Sequence, residues 1–60
     1  MTYRLEHRDG GYNVWVGQDR REIYPTKDGH WFVMGGAHVF YRTRDAAAQA
    51  VADALGKVAG

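Results

Sequence analysis

The stretch from His30 to Leu55 constrains the fold most tightly: two alternating apolar segments around Gly35-Gly36, followed by an alanine-rich helical segment. Hairpin register assigns each side chain to one face of a sheet, and a single helix can cover only one of the two faces. With Gly35 and Gly36 as the turn, Met34 pairs with Ala37, Val33 with His38, Phe32 with Val39 and Trp31 with Phe40. One face then carries Phe32, Met34, Val39 and Tyr41, and the other Trp31, Val33, His38, Phe40 and Arg42. The first is expected beneath the helix and the second in the open. A slip of one residue exchanges the two faces.

Upstream, Tyr3 to His7 alternates, Asp9-Gly10-Gly11 is a turn signal, and Tyr12 to Val16 returns as a strand. If Gly10 and Gly11 form the loop, His7 pairs with Val14 and Leu5 with Val16. Tyr3, Leu5, His7, Tyr12, Val14 and Val16 then share the core face, while Arg4, Glu6, Arg8, Asn13 and Trp15 point outward. Gly17-Gln18-Asp19 is a second turn, Arg20 to Tyr24 a short strand with Ile23 inward, and Pro25 to Gly29 a loop. Thr43 is a suitable N-cap, with Asp45 at the positive end of the helix dipole. Asp45, Gln49, Asp53 and Lys57 make a polar stripe opposite Ala47, Val51, Ala54, Leu55 and Val58.

The expected fold is α+β: an antiparallel β-meander of four to five short strands with one C-terminal α-helix packed on one face. Expected bounds are about 3–8, 12–16, 20–24, 30–34 and 37–42 for the strands and about 44–58 for the helix, in a single domain over 1–60. The expected core is Leu5, Val14, Val16, Ile23, Phe32, Val39, Ala47, Val51 and Leu55.

Composition narrows the function. Sixty residues lie near the lower size limit for folding without disulfides or metal, and the chain has no cysteine. No apolar run is long enough to span a bilayer and the N-terminus has no signal-peptide core, so a cytoplasmic protein is expected. Eight Lys+Arg against seven Asp+Glu give a net charge of +1, low for a dedicated nucleic-acid binder. All but two of those cations precede residue 43, so the sheet is more basic than the helix. Residue usage rich in Ala, Gly, Arg, Val and Asp fits a high-GC genome of phage or actinobacterial type.

No nucleophile elbow and no serine is present, and a domain this small has little room for a concave pocket, so an enzyme is not expected. His7, His30 and His38 lack metal-ligand spacing, and neither metal nor other cofactor is expected. The glycine pairs lack the helix and lysine of a phosphate loop. Asp19-Arg20-Arg21-Glu22 reads as a solvated turn and an edge strand whose charges deter edge pairing, with phosphate contact as the alternative.

The segment Phe40-Tyr41-Arg42-Thr43-Arg44-Asp45-Ala46-Ala47-Ala48-Gln49-Ala50-Val51-Ala52-Asp53-Ala54 resembles the C-terminal half of AP2/integrase-type DNA-binding domains, and Gly29-His30-Trp31 resembles their Gly-x-Trp strand opening. The resemblance, mainly over residues 29–55, implies a three-stranded sheet on one helix, with the exposed sheet face reading the DNA major groove. The chain departs from that pattern in its extra N-terminal hairpin and its sparser arginines.

The expected binding surface is Trp31, Phe40, Arg42, His38, Trp15, Arg8 and Arg4. An exposed aromatic and basic patch marks an interaction site, and Trp and Arg dominate protein interfaces. Partial burial under the Pro25 to Gly29 loop is the alternative origin of the patch. The expected function is a small non-enzymatic module for protein–protein interaction or self-association as a homodimer, with duplex DNA as the alternative partner. Neither a membrane nor a small-molecule substrate is expected.

Overall fold

The computed structural model describes residues 3–35 and 39–59. Five strands, β1 (Arg4–Arg8), β2 (Gly11–Val16), β3 (Asp19–Pro25), β4 (Trp31–Val33) and β5 (Phe40–Tyr41), precede one helix, α1 (Arg44–Ala59). The strands form a single antiparallel sheet in the order β1-β2-β3-β4-β5, and α1 packs across β2 to β5. This is the α+β architecture that the alternation and the helical stripe imply.

The first hairpin closes through Asp9-Gly10 rather than Gly10-Gly11. Arg8 stands opposite Gly11, His7 opposite Tyr12 and Leu5 opposite Val14. Gly10 takes φ +83° at the second loop position, which an L side chain adopts only with strain. Relative to the sequence expectation the pairing is displaced by two residues, and an even displacement preserves the faces. Leu5, Tyr12, Val14 and Val16 therefore still point to the helix. The second hairpin turns on Gly17-Gln18, with Val16 opposite Asp19 and Gly17 at φ +62°, the glycine-first arrangement that suits strand twist.

The third hairpin departs by a single residue, which matters more. Phe32 pairs with Phe40 and Trp31 with Tyr41, where Val39 and Phe40 were the expected partners. The expected Gly35-Gly36 turn and the Met34–Ala37 and Val33–His38 pairs rest on Gly36, Ala37 and His38, which lie outside the described residues. β3 sets the orientation of β4, because Ile23 lies opposite Val33 and Pro25 opposite Trp31. Directly opposed residues share a face. Ile23 points to α1, so Val33 and Trp31 do as well, and Phe32 points away.

The buried core is consequently Val14, Ile23, Ala47, Ala48, Val51, Ala52 and Leu55, ringed by half-buried Tyr3, Leu5, Tyr12, Val16, Trp31, Val33 and Tyr41. Phe32 is not among them, and Val39 is 45% exposed. On α1 the inward stripe includes Ala48 and Ala52, whereas Ala54 is exposed. Three of the five core residues on α1 are alanine, which lets the helix approach the sheet closely. Thr43 caps α1: its Oγ1 accepts from the Ala46 amide at 3.0 Å, and Asp45 occupies the first turn.

Candidate functional site: the uncovered sheet face

Strand parity arranges the face opposite α1 in three cross-strand rows. Arg4, Trp15 and Arg20 stand side by side in the first. Both guanidinium groups lie over the indole, Arg4 at 5.5 Å and Arg20 at 5.8 Å from the ring centroid. Cations at these distances are attracted by the ring's negative face. Trp15 is thus held between two arginines, one from each neighbouring strand.

The second row is Glu6, Asn13 and Glu22. Glu6 Oε1 accepts from Asn13 Nδ2 at 2.9 Å and from Trp15 Nε1 at 3.1 Å. Asn13 is only 7% exposed although it lies on the side without a helix. The hydrogen bonds from Asn13 and then Trp15, with Arg4 and Arg20 nearby, hold the Glu6 carboxyl below its ordinary value of 4.5. A carboxyl depressed in the native state stabilises the fold fully above its unfolded pKa, and that contribution disappears as pH falls through the native value. Asp28, held low by the Thr26 hydroxyl, acts in the same direction. Urea midpoints are therefore expected to fall between pH 6 and pH 3, and Glu6→Gln is expected to make that fall shallower. An equally steep fall in the variant would rule out the Glu6 contribution.

The third row starts with Arg8 and runs across Gly11 to Tyr24, Phe32 and Phe40. Gly11 is buried, and the Tyr24 ring lies against it where a Cβ would stand. This brings Arg8 to 5.8 Å from the Tyr24 ring centroid, while Arg8 also pairs with Glu22. The Tyr24 hydroxyl donates to Glu22 at 3.1 Å. Phe32 and Phe40 pack at 6.0 Å between centroids, and Phe40 is 56% exposed.

Of the expected surface residues, Arg4, Arg8, Trp15 and Phe40 come together on this face. Arg42 follows β5 and is exposed. His38 lies outside the described residues. Trp31 is a correction: it lies on the helix side, 6.0 Å from the Tyr12 ring, so Trp31 and Phe40 do not form one patch. The structure adds Arg20, Tyr24 and Phe32. Arg20 and Tyr24 were legible from parity once Ile23 was placed inward; Phe32 required the true β4–β5 register.

Chemically the face is a mixed surface. Three arginines in the rows (Arg4, Arg8, Arg20) against two glutamates (Glu6, Glu22) leave one net positive charge. The side chains interlock through stacking and hydrogen bonds, so the face is pre-organised. Among the described residues no cluster of His, Cys, Asp and Glu could hold a metal ion, and no helix is long and apolar enough to cross a membrane. No protein-family model, curated protein or solved structure matches this chain.

Proposed function

We propose that this chain is a non-enzymatic binding module that docks another protein through the uncovered sheet face. The observation that carries this reading is the composition of that face: Trp15, Tyr24, Phe32 and Phe40 are interleaved with arginines and have no helix above them. Large rigid rings with stacked guanidinium groups supply contact area at small cost in conformational freedom. The central Glu6–Asn13–Glu22 row favours a partner of mixed charge over a polyanion.

Selection of a displayed peptide library on the folded protein tests this. Enriched ligands are expected to lose at least about tenfold in affinity on Phe40→Glu and on Trp15→Ala, the range of a moderate interface residue. Gln49→Glu, on the exposed side of α1, is expected to leave them unchanged. Ligands indifferent to both sheet-face changes would reject the reading.

The Arg4–Trp15–Arg20 row favours a second reading, duplex DNA, because a sheet enters the major groove and arginines neutralise phosphates. That reading requires binding that weakens with salt, by a slope of about 0.9 per phosphate contacted. Arg4→Ala would reduce the slope. Undetectable affinity for duplex DNA at low salt would eliminate it.

A further inference from the structure

We propose that two copies of this chain pair edge to edge through β1, antiparallel about a two-fold axis at Leu5, joining two five-stranded sheets into one. The pairing uses the backbone edge of β1, with Arg4 and Glu6 at the margin of the uncovered face as its side-chain contacts, and it does not depend on what the rest of that face binds.

The sheet is open, with β1 and β5 at its edges. β5 spans two residues, whereas β1 spans five, so β1 is the edge long enough to act as a template. In a two-residue hairpin the pair flanking the loop exchanges both backbone bonds, and here that pair is Arg8 and Gly11. Alternation then directs the backbone groups of Leu5 and His7 away from β2, toward the free edge. An axis at Leu5 uses those groups.

The side chains select the same register. About Leu5, Arg4 of one copy meets Glu6 of the other, Tyr3 meets His7, and Leu5 meets itself. Arg4 is in no ion pair within 4.0 Å among the described residues, whereas Arg8 is already paired with Glu22. Both hydrogen bonds to Glu6 end on Oε1, which leaves Oε2 for a second cation. An axis at Glu6 would instead set Arg4 against Arg8 and Glu6 against Glu6, placing like charges in opposition. An axis at His7 would also oppose Glu6 and Arg8, but Arg8 is already paired with Glu22, and it would set Leu5 against Asp9 and Arg4 against Gly10, both in the turn. The charges, the turn at Asp9-Gly10 and the existing Arg8–Glu22 pair together favour the register about Leu5. Half-buried Leu5 and Tyr3, at the margin of the core, would gain cover from it.

Two experiments test the proposal on the whole chain. The sequence contains no cysteine, so Leu5→Cys introduces a single thiol. Hydrogen-bonded antiparallel partners lie about 5.5 Å apart at Cα, within disulfide reach. In a glutathione redox buffer Leu5→Cys is expected to convert to a covalent dimer of twice 6.8 kDa, and Arg20→Cys, on the interior strand β3, to remain largely monomeric. By sedimentation equilibrium, Arg4→Glu and Glu6→Arg are each expected to weaken the dimer at least about tenfold, and an equimolar mixture to restore it as a heterodimer. A wild-type mass that stays monomeric up to millimolar concentration would overturn the proposal. So would a dimer insensitive to both charge reversals, or equal cross-linking at Leu5→Cys and Arg20→Cys. If circular dichroism shows Glu6→Arg unfolded, the cysteine pair decides alone.

Discussion

Ile23→Ala is expected to leave the chain largely unfolded at physiological temperature. Ile23 and Val14 are the largest fully buried side chains, both 0% exposed, and much of the remaining core is alanine. Trimming a fully buried isoleucine to alanine costs about 2–5 kcal/mol, through lost transfer energy and the cavity left behind. Native domains hold roughly 0.05–0.15 kcal/mol per residue, so a chain of this length has only about 3–9 kcal/mol in total. Ile23 also lies at the junction of three strands, opposite Tyr12 on β2 and Val33 on β4. Its loss removes the contact that orients β4 toward α1. Far-UV circular dichroism at 37 °C and a urea titration give the comparison. Val39→Ala, at a 45% exposed position, is the control and is expected to change stability by less than about 0.5 kcal/mol. A urea midpoint for Ile23→Ala close to that of Val39→Ala would show that the core is centred elsewhere.

Gly11→Ala is the second large effect, and its cause is space rather than backbone conformation. Gly11 does not have a positive φ, unlike Gly10. A Cβ at position 11 would stand 2.3 Å from the Ile23 carbonyl oxygen and 2.8 Å from Tyr24 Cδ1. The ring can rotate away, but the carbonyl belongs to β3 and moves only if β2 and β3 separate. Overpacking typically costs about 1–3 kcal/mol, and a backbone obstacle puts this site at the upper end. At Gly10 nothing lies within 4 Å, so Gly10→Ala meets only left-handed strain, of about 1 kcal/mol. Urea titration is expected to rank Gly11→Ala well below Gly10→Ala in stability. Adding Tyr24→Ala to Gly11→Ala removes the ring contact and leaves the carbonyl contact, so little recovery is expected. Full recovery in the double variant would assign the clash to the ring alone.

Gly11 also shows how a turn motif can mislead. In Asp9-Gly10-Gly11 either glycine could serve the loop by local chemistry. What places Gly11 in β2 is Tyr24, thirteen residues onward, whose ring needs the missing side chain to reach Arg8. The displacement was even, so the faces of β1 and β2 survived it, and Arg4, Arg8 and Trp15 were found on the uncovered side as expected. At β4 the displacement was odd. Trp31 exchanged places with Phe32, and half of the expected Trp31–Phe40 patch moved beneath the helix.

From residue order alone came the element sequence, the helix with its Thr43 cap, and the inward positions of Val14, Ile23, Val51 and Leu55. These rest on periodicity and local hydrogen bonding, which act over a few residues and are written in the chain. The tertiary structure decided which glycine turns the first hairpin, which of Trp31 and Phe32 lies under α1, and that Arg4 and Arg20 meet over Trp15. Each depends on pairing between strands joined by links whose length sets register, and a strand's side chains repeat every two residues. A one-residue difference in a link therefore reverses a whole strand, a choice settled only when neighbouring strands and the helix pack together.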